Sequence, residues 1–128
     1  MVRNIKQILH ASFLVEDLDR DLQFYCDVLG LRTDSVRPYL DYTGAWLNIG
    51  DQQIHWLQLP NADPVQGRPA HGGRDRHVAF AVDDIDELAN TLQQSDIPFT
   101  MSKSGRKALF VRDPDGNALE FIETADQT

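Results

Sequence analysis

The chain carries a diverged copy of its own first half. His10-Ala-Ser-Phe-Leu-Val-Glu-Asp-Leu-Asp19 lies over His77-Val-Ala-Phe-Ala-Val-Asp-Asp-Ile-Asp86 when the sequence is slid along itself by 67 residues. His, Phe, Val, Asp and Asp coincide, and Glu16/Asp83 and Leu18/Ile85 are conservative pairs. A weaker match ends each half: Gly50-Asp-Gln-Gln-Ile-His-Trp-Leu57 resembles Asp115-Gly-Asn-Ala-Leu-Glu-Phe-Ile122, aligning Ile54/Leu119, His55/Glu120 and Trp56/Phe121. A unit that occurs twice must fold twice on one plan, so only an architecture of two like modules is open to this chain.

The periodicity changes in the same order in each copy. Ile5 to Val15 alternates like a strand; Asp17 can then cap a helix in which Leu18, Leu22, Tyr25 and Leu29 recur at helical spacing, and Gly30 suits its stop. Leu31 to Arg37, Ala45 to Ile49 and Gln53 to Leu59 read as three more strands, broken by Pro38 and the Gly50-Asp51 turn. In the second copy Arg76 to Val82 is a strand, and Asp84 caps a helix carrying Ile85, Leu88, Ala89 and Leu92. Strands follow near Pro98 to Lys103, Lys107 to Arg112 and Ala118 to Glu123, the last after the tight turn Asp113-Pro-Asp-Gly-Asn117. Each module reads βαβββ, an α+β fold class. With 128 residues, 41% of them hydrophobic, the chain supports one compact domain over 1–128: module one at 5–60, a linker at 61–75 rich in Pro, Gly and polar residues, and module two at 76–124.

Charge and composition narrow the function. The net charge of −8 repels a phosphate backbone, which excludes nucleic acid and anionic membranes as partners. No apolar run approaches the ~20 residues that span a bilayer and no signal-like stretch opens the chain, so a cytoplasmic protein is expected. Cys26 stands alone, which leaves no CxxC motif and no internal disulfide, and makes His and carboxylate the available metal ligands.

Side-chain direction adds the candidate site. Residues alternate between faces along a strand, so Phe13 and Val15 face away from His10, and Phe80 and Val82 from His77. His10 shares its face with Ser12, and His77 with Ala79 and Ala81, leaving space above both imidazoles. His55 opposes the Ile54 and Trp56 face, as Glu120 opposes the Leu119 and Phe121 face. Three imidazoles and a carboxylate suit Ni, Zn, Mn, Fe(II) or Co. Any one of these histidines could instead be an ordinary strand histidine, and a buried Glu120 could be satisfied by an Arg as well as by a metal.

These residues carry a family resemblance. The paired βαβββ plan, His10, His77-Val-Ala-Phe-Ala-Val82 and Asp113-Pro-Asp-Gly-Asn-Ala-Leu-Glu120 resemble the vicinal oxygen chelate superfamily, which includes glyoxalase I, extradiol dioxygenases and bleomycin-resistance proteins. The resemblance implies two mixed sheets that curve into a cup, with His10, His55, His77 and Glu120 at the metal-ligand positions. It implies a homodimer in which His10 and His55 of one chain meet His77 and Glu120 of its mate. It also implies a small-molecule substrate, a divalent metal acting as a Lewis acid, and a lyase or isomerase of glyoxalase I type working on a 2-oxo or thiol-conjugated compound, with a thiol such as glutathione as co-substrate. Glu120 is then the base for proton transfer next to a carbonyl. His55 departs from the pattern, since glyoxalase-type members carry Glu or Gln there, and it is either a ligand or an acid-base residue.

Two other functions are open to the same residues. An extradiol-type dioxygenase needs only His10, His77 and Glu120 around Fe(II), though such enzymes usually have about twice this length. A bleomycin-resistance-type protein binds a cationic ligand without metal, which the charge of −8 favours and the four candidate ligands oppose. The cluster of His71, Arg74 and Arg76 reads as a solvated loop or a basic rim, Tyr39, Tyr42 and Trp46 as core or pocket wall, and Ser104-Gly105-Arg106-Lys107 as a basic turn without a phosphate-loop pattern.

Overall fold

The computed structural model describes residues 4–124, which fall into two compact units divided between Asn61 and Ala62. In the first unit Asp17 accepts from the amides of Asp19 and Arg20 and so opens a helix, because it satisfies N–H groups that have no partner within the first turn. The strand before it is β1 (His10–Leu14) and the helix is α1 (Leu18–Leu22), which continues as a π-wound stretch at Gln23–Val28. Gly30 at φ +82° ends it. Then come β2 (Arg32–Thr33), β3 (Gly44–Ile49) and β4 (Gln52–Leu57), in the sheet order β1-β4-β3-β2. β1 runs parallel to β4, and the other pairings are antiparallel.

The second unit repeats the plan. It has β5 (His77–Val82), α2 (Ile85–Gln94) capped by Asp84, β6 (Phe99–Met101), β7 (Ala108–Arg112) and β8 (Ala118–Glu123), in the order β5-β8-β7-β6 with β5 parallel to β8. The two registers coincide. His10 pairs with Gln53 and Ser12 with His55; His77 pairs with Ala118 and Ala79 with Glu120.

Each sheet packs one face against the helical segment of its own unit. In the first unit Ala45, Leu47, Ile54 and Trp56 are buried, and Tyr25 from the helical stretch meets Trp56 edge-on at 4.5 Å between ring centroids. In the second, Leu109, Val111, Leu119 and Phe121 are buried, α2 packs on β7 and β8 with Ile85 and Leu92 fully enclosed, and Phe80 stacks on Phe121. His10, His55, His77 and Glu120 lie on the opposite faces, in the company of Trp46 in the first sheet and of the buried Phe110 in the second.

Several element boundaries differ from the sequence expectation. Residues 5–9 alternate as a strand should, yet they are not in the sheet, and Ile5, Ile8 and Leu9 are exposed. The neighbour strand β4 begins only at Gln52 after the Gly50 turn, so nothing remains for them to pair with beyond the bond from the Gln53 amide to the Leu9 carbonyl. The strand expected over 31–37 shortens to Arg32–Thr33, because the Asp34 carboxylate accepts from the Val36 amide and turns the chain off the sheet ahead of Pro38. Residues 61–75 hold no strand or α-helix and are tied down by a 3₁₀ turn at Gly72–Arg74 and an Arg68–Asp75–Arg112 cluster.

Candidate functional site

On the open face of the first sheet, three rings stack. His10 and His55 lie 4.0 Å apart between centroids and 13° from parallel, and Trp46, directly across from His55 on β3, stacks on its other side at 4.2 Å. Gln53 fixes one end of this stack. Its amide nitrogen donates to Asp34 Oδ2 and Asn48 Oδ1, which orients its oxygen toward His55 Nε2 at 2.8 Å. His55 Nε2 is therefore the donor of that bond, and the lone pair of the neutral ring sits on Nδ1. Partial burial, then the neighbouring His10 and the Arg37 charge, push the His55 pKa below its usual value.

The second sheet supplies a different pair. His77 Nδ1 lies 2.8 Å from the carbonyl oxygen of Asp75, which can only accept, so Nδ1 is the donor of that bond and Nε2 is the ring nitrogen turned to the site. That Nε2 lies 3.2 Å from Oε1 of Glu120. Glu120 is 4% exposed, and its other oxygen, Oε2, accepts from the Arg106 guanidinium at 3.3 Å. Phe110, across from Glu120 on β7, meets His77 edge-on at 5.3 Å and walls the pair.

Asp75 holds its carbonyl in place through its own side chain. The carboxylate accepts from Arg68 Nε and a second Arg68 nitrogen at 2.7 and 2.6 Å and from Arg112 at 2.9 Å. The Arg68 hydrogen bonds, then those of Arg112, hold its pKa well below the usual carboxylate range. Arg112 also donates to the carbonyl of Gly116, within the Asp113-to-Asn117 turn that leads into β8. In that turn the Asp113 carboxylate accepts from the amides of Asp115 and Asn117 and from the Asn117 side chain. The turn that precedes Glu120 and the segment that precedes His77 are thus cross-braced.

The donor set can be tested against a divalent cation. Two ligand atoms each ~2.1 Å from one ion at an angle between a right angle and tetrahedral lie roughly 3.0–3.4 Å apart. His77 Nε2 and Glu120 Oε1 meet that spacing, and a metal-ligating imidazole ordinarily donates its other N–H to a carbonyl or carboxylate, as His77 does to Asp75. His10 and His55 fit less simply, since Gln53 engages His55 Nε2 and leaves Nδ1 as its free donor atom. The four candidates thus form two pairs, His10 with His55 on the first sheet and His77 with Glu120 on the second.

Sequence reading missed three contributors: Gln53, Asp75 and Arg106. Gln53 could have been found, since it stands two residues before His55 on the same strand face. Arg106 and Asp75 lie in a turn and in an irregular segment, where spacing carries no information about direction. Of the weighed features, Trp46 lies on the ligand face, Arg76 pairs with the exposed Asp63, and His71 hydrogen-bonds the Met101 carbonyl. Burial, then the neighbouring Asp27, raises the Cys26 pKa above its usual value.

The family model for the Glyoxalase/Bleomycin resistance protein/Dioxygenase superfamily matches residues 7–121. The chain belongs to that superfamily. It is 37% identical over 128 residues to a lactoylglutathione lyase of Haemophilus influenzae, covering 91% of this chain and 92% of that one. It is 30% identical to a lactoylglutathione lyase of Escherichia coli O157:H7, covering 94% of each. Among solved structures, a Bacillus anthracis chain superposes with a TM-score of 0.76 at 25% identity, over 98% of this chain and 100% of its own. The lactoylglutathione lyase of Agrobacterium tumefaciens superposes with a TM-score of 0.67 at 26% identity, over 94% and 96%. The two four-stranded mixed sheets with their helices are the glyoxalase-like fold that the resemblance implied. Among the described residues no helix is long and apolar enough to cross a membrane.

Proposed function

We propose that the protein is a divalent-metal-dependent lyase of glyoxalase I type, acting on a small oxygenated compound conjugated to a thiol, with glutathione as the thiol. The observation that carries this reading is the His77–Glu120 pair: an imidazole anchored through Nδ1 to a backbone carbonyl, with its Nε2 3.2 Å from a buried carboxylate, the separation of two ligands of one ion. Relatives named lactoylglutathione lyase, at 37% and 30% identity over nearly the whole chain, support the choice of reaction class. A glutathione-dependent reaction also suits the cytoplasm, where that thiol is kept reduced.

His77 and Glu120 would hold the cation on one side and His10 and His55 on the other, with the two pairs contributed by different chains of a homodimer. The ion would supply Lewis acidity, polarising oxygens of the substrate. Glu120 is the group that takes and returns a proton at the carbon next to the carbonyl, since it is the carboxylate of the set and its second oxygen lies outside the His77 contact. His55, stacked between His10 and Trp46 with its Nε2 engaged, is held in one ring orientation by its neighbours.

The test is elemental analysis of the purified, untagged protein beside a folded His77→Ala variant, followed by assay with the glutathione adduct of a 2-oxoaldehyde in deuterated water. The reading expects about one metal per chain in the wild type, its loss in the variant, and activity that falls by about 10²-fold or more in Glu120→Gln. A wild type that takes up none of Ni, Zn, Mn, Fe(II) or Co would instead leave a ligand-binding protein of the bleomycin-resistance type. Oxygen consumption with a catechol would turn the reading to a dioxygenase.

A further inference from the structure

Glu120 is nearly enclosed, and an ionised carboxylate in that setting needs a counter-charge. His77 lies against one oxygen, Oε1, at 3.2 Å and is anchored through its Nδ1 to the Asp75 carbonyl, which leaves the other oxygen, Oε2, to be met from elsewhere. Among the described residues, Arg106 is the arginine or lysine that reaches this carboxylate. Three features of that contact set it apart from a built structural salt bridge. Its length, 3.3 Å, exceeds the ~2.7–2.9 Å of a strong charge-assisted bond. It is made through one nitrogen, where a guanidinium can offer a bidentate fork. The Arg106 side chain is 58% exposed, so it can leave into water at little cost, whereas Glu120 cannot.

The local chain keeps Arg106 near without locking it. Arg106 sits on the turn between β6 and β7 just after Gly105 at φ +86°, and its amide and Nε both point at the Ser104 hydroxyl at 3.4 and 3.3 Å. Ser104 is in turn bonded to Ser102 at 2.7 Å. The guanidinium is therefore laid back along the turn toward Glu120, on a side chain that stays mostly exposed.

We propose that Arg106 is the resident counter-charge of the carboxylate half of the metal site. It holds Glu120 aimed at His77 and gives the carboxylate up to an arriving divalent cation, with which it competes. This inference rests on the metal-dependent reading above. It makes Arg106 a positioning residue that limits metal affinity, and the direction of its effect is diagnostic. Loss of a merely structural contact weakens metal binding, whereas loss of a competitor strengthens it.

Calorimetric titration of the metal-stripped, untagged protein with zinc, repeated with nickel, tests this on wild type, Arg106→Gln and Arg106→Lys, with thermal midpoints measured in parallel. The expected result is a Kd about three- to fivefold lower in Arg106→Gln, the worth of a partly exposed ion pair, with Arg106→Lys staying close to wild type. Equal or weaker binding by Arg106→Gln, beside clear binding by the wild type, overturns the inference and leaves the metal reading standing. Equal tightening in Arg106→Lys also overturns it, because the charge would then not be the cause. Absence of binding in all three proteins overturns both.

Discussion

His55 is the residue whose chemistry is most altered by its surroundings. Partial burial, the adjacent His10 and the Arg37 charge all disfavour its imidazolium, so its folded-state pKa lies below the ordinary 6.5. A histidine with a lowered folded pKa binds its proton more readily unfolded than folded. Its contribution to stability is therefore present above pH 6.5 and is lost as the pH falls below that value. Two outcomes follow at this scale. The His55 ring signals in an NMR titration of the metal-free protein should show a midpoint below 6.5, moving upward in Arg37→Gln. The drop in thermal midpoint between pH 7 and pH 5 should be smaller in His55→Gln than in wild type. A His55 midpoint at or above 6.5 would mean that its burial and the nearby His10 and Arg37 do not act on it in solution as the structure places them. The ring's identity and face were legible from the repeat, but its tautomer was not, since that depends on Gln53 being oriented by Asp34 and Asn48 from elsewhere on the sheet.

Within the elements, the repeat made the succession of elements along the chain and the facing of their residues readable, because side-chain direction has a fixed period of two, and a histidine placed on one face in one copy lies on the same face in the other. Strand ends were not readable, because pairing depends on how far the neighbouring strand extends, as residues 5–9 show. Nor was the π-wound stretch at Gln23–Val28, whose apolar spacing is close enough to α-helical that sequence does not separate them. Gly44 is a third case: it begins β3 opposite Leu57, and a Cβ there would collide with the carbonyl oxygen of Trp56 and press on the Arg37 side chain at 3.0 Å. Backbone cannot step aside as a side chain can. Gly44→Ala should therefore lower stability by about 1–3 kcal/mol, read from chemical denaturation. Gly30→Ala, where nothing lies within 4 Å but φ is +82°, should cost only about 1 kcal/mol, from backbone conformation alone. A Gly44→Ala loss no greater than that of Gly30→Ala would show that the β3–β4 pairing has slack there.

At the scale of the whole molecule, each unit carries two of the four candidate ligands: His10 and His55 on β1 and β4, His77 and Glu120 on β5 and β8. A complete set needs one pair of each kind. The proposal that they come from different chains of a two-fold dimer makes a quantitative prediction, because such a dimer has two equivalent sites. Take His55→Ala and His77→Ala proteins, each inactive alone. In a mixed dimer one site collects both damaged halves, while the other joins the intact first unit of the His77→Ala chain to the intact second unit of the His55→Ala chain. Random exchange makes half of the dimers mixed, each with one good site of two. An equimolar mixture should therefore recover about a quarter of wild-type activity and metal content, reached at the rate of subunit exchange. The pair Glu120→Gln and His77→Ala damages the same half twice and should recover nothing. Were both kinds of mixture to stay inactive after demonstrated exchange, the two pairs of each site would have to come from a single chain, and Arg106 and Glu120 would then serve the histidines of their own subunit.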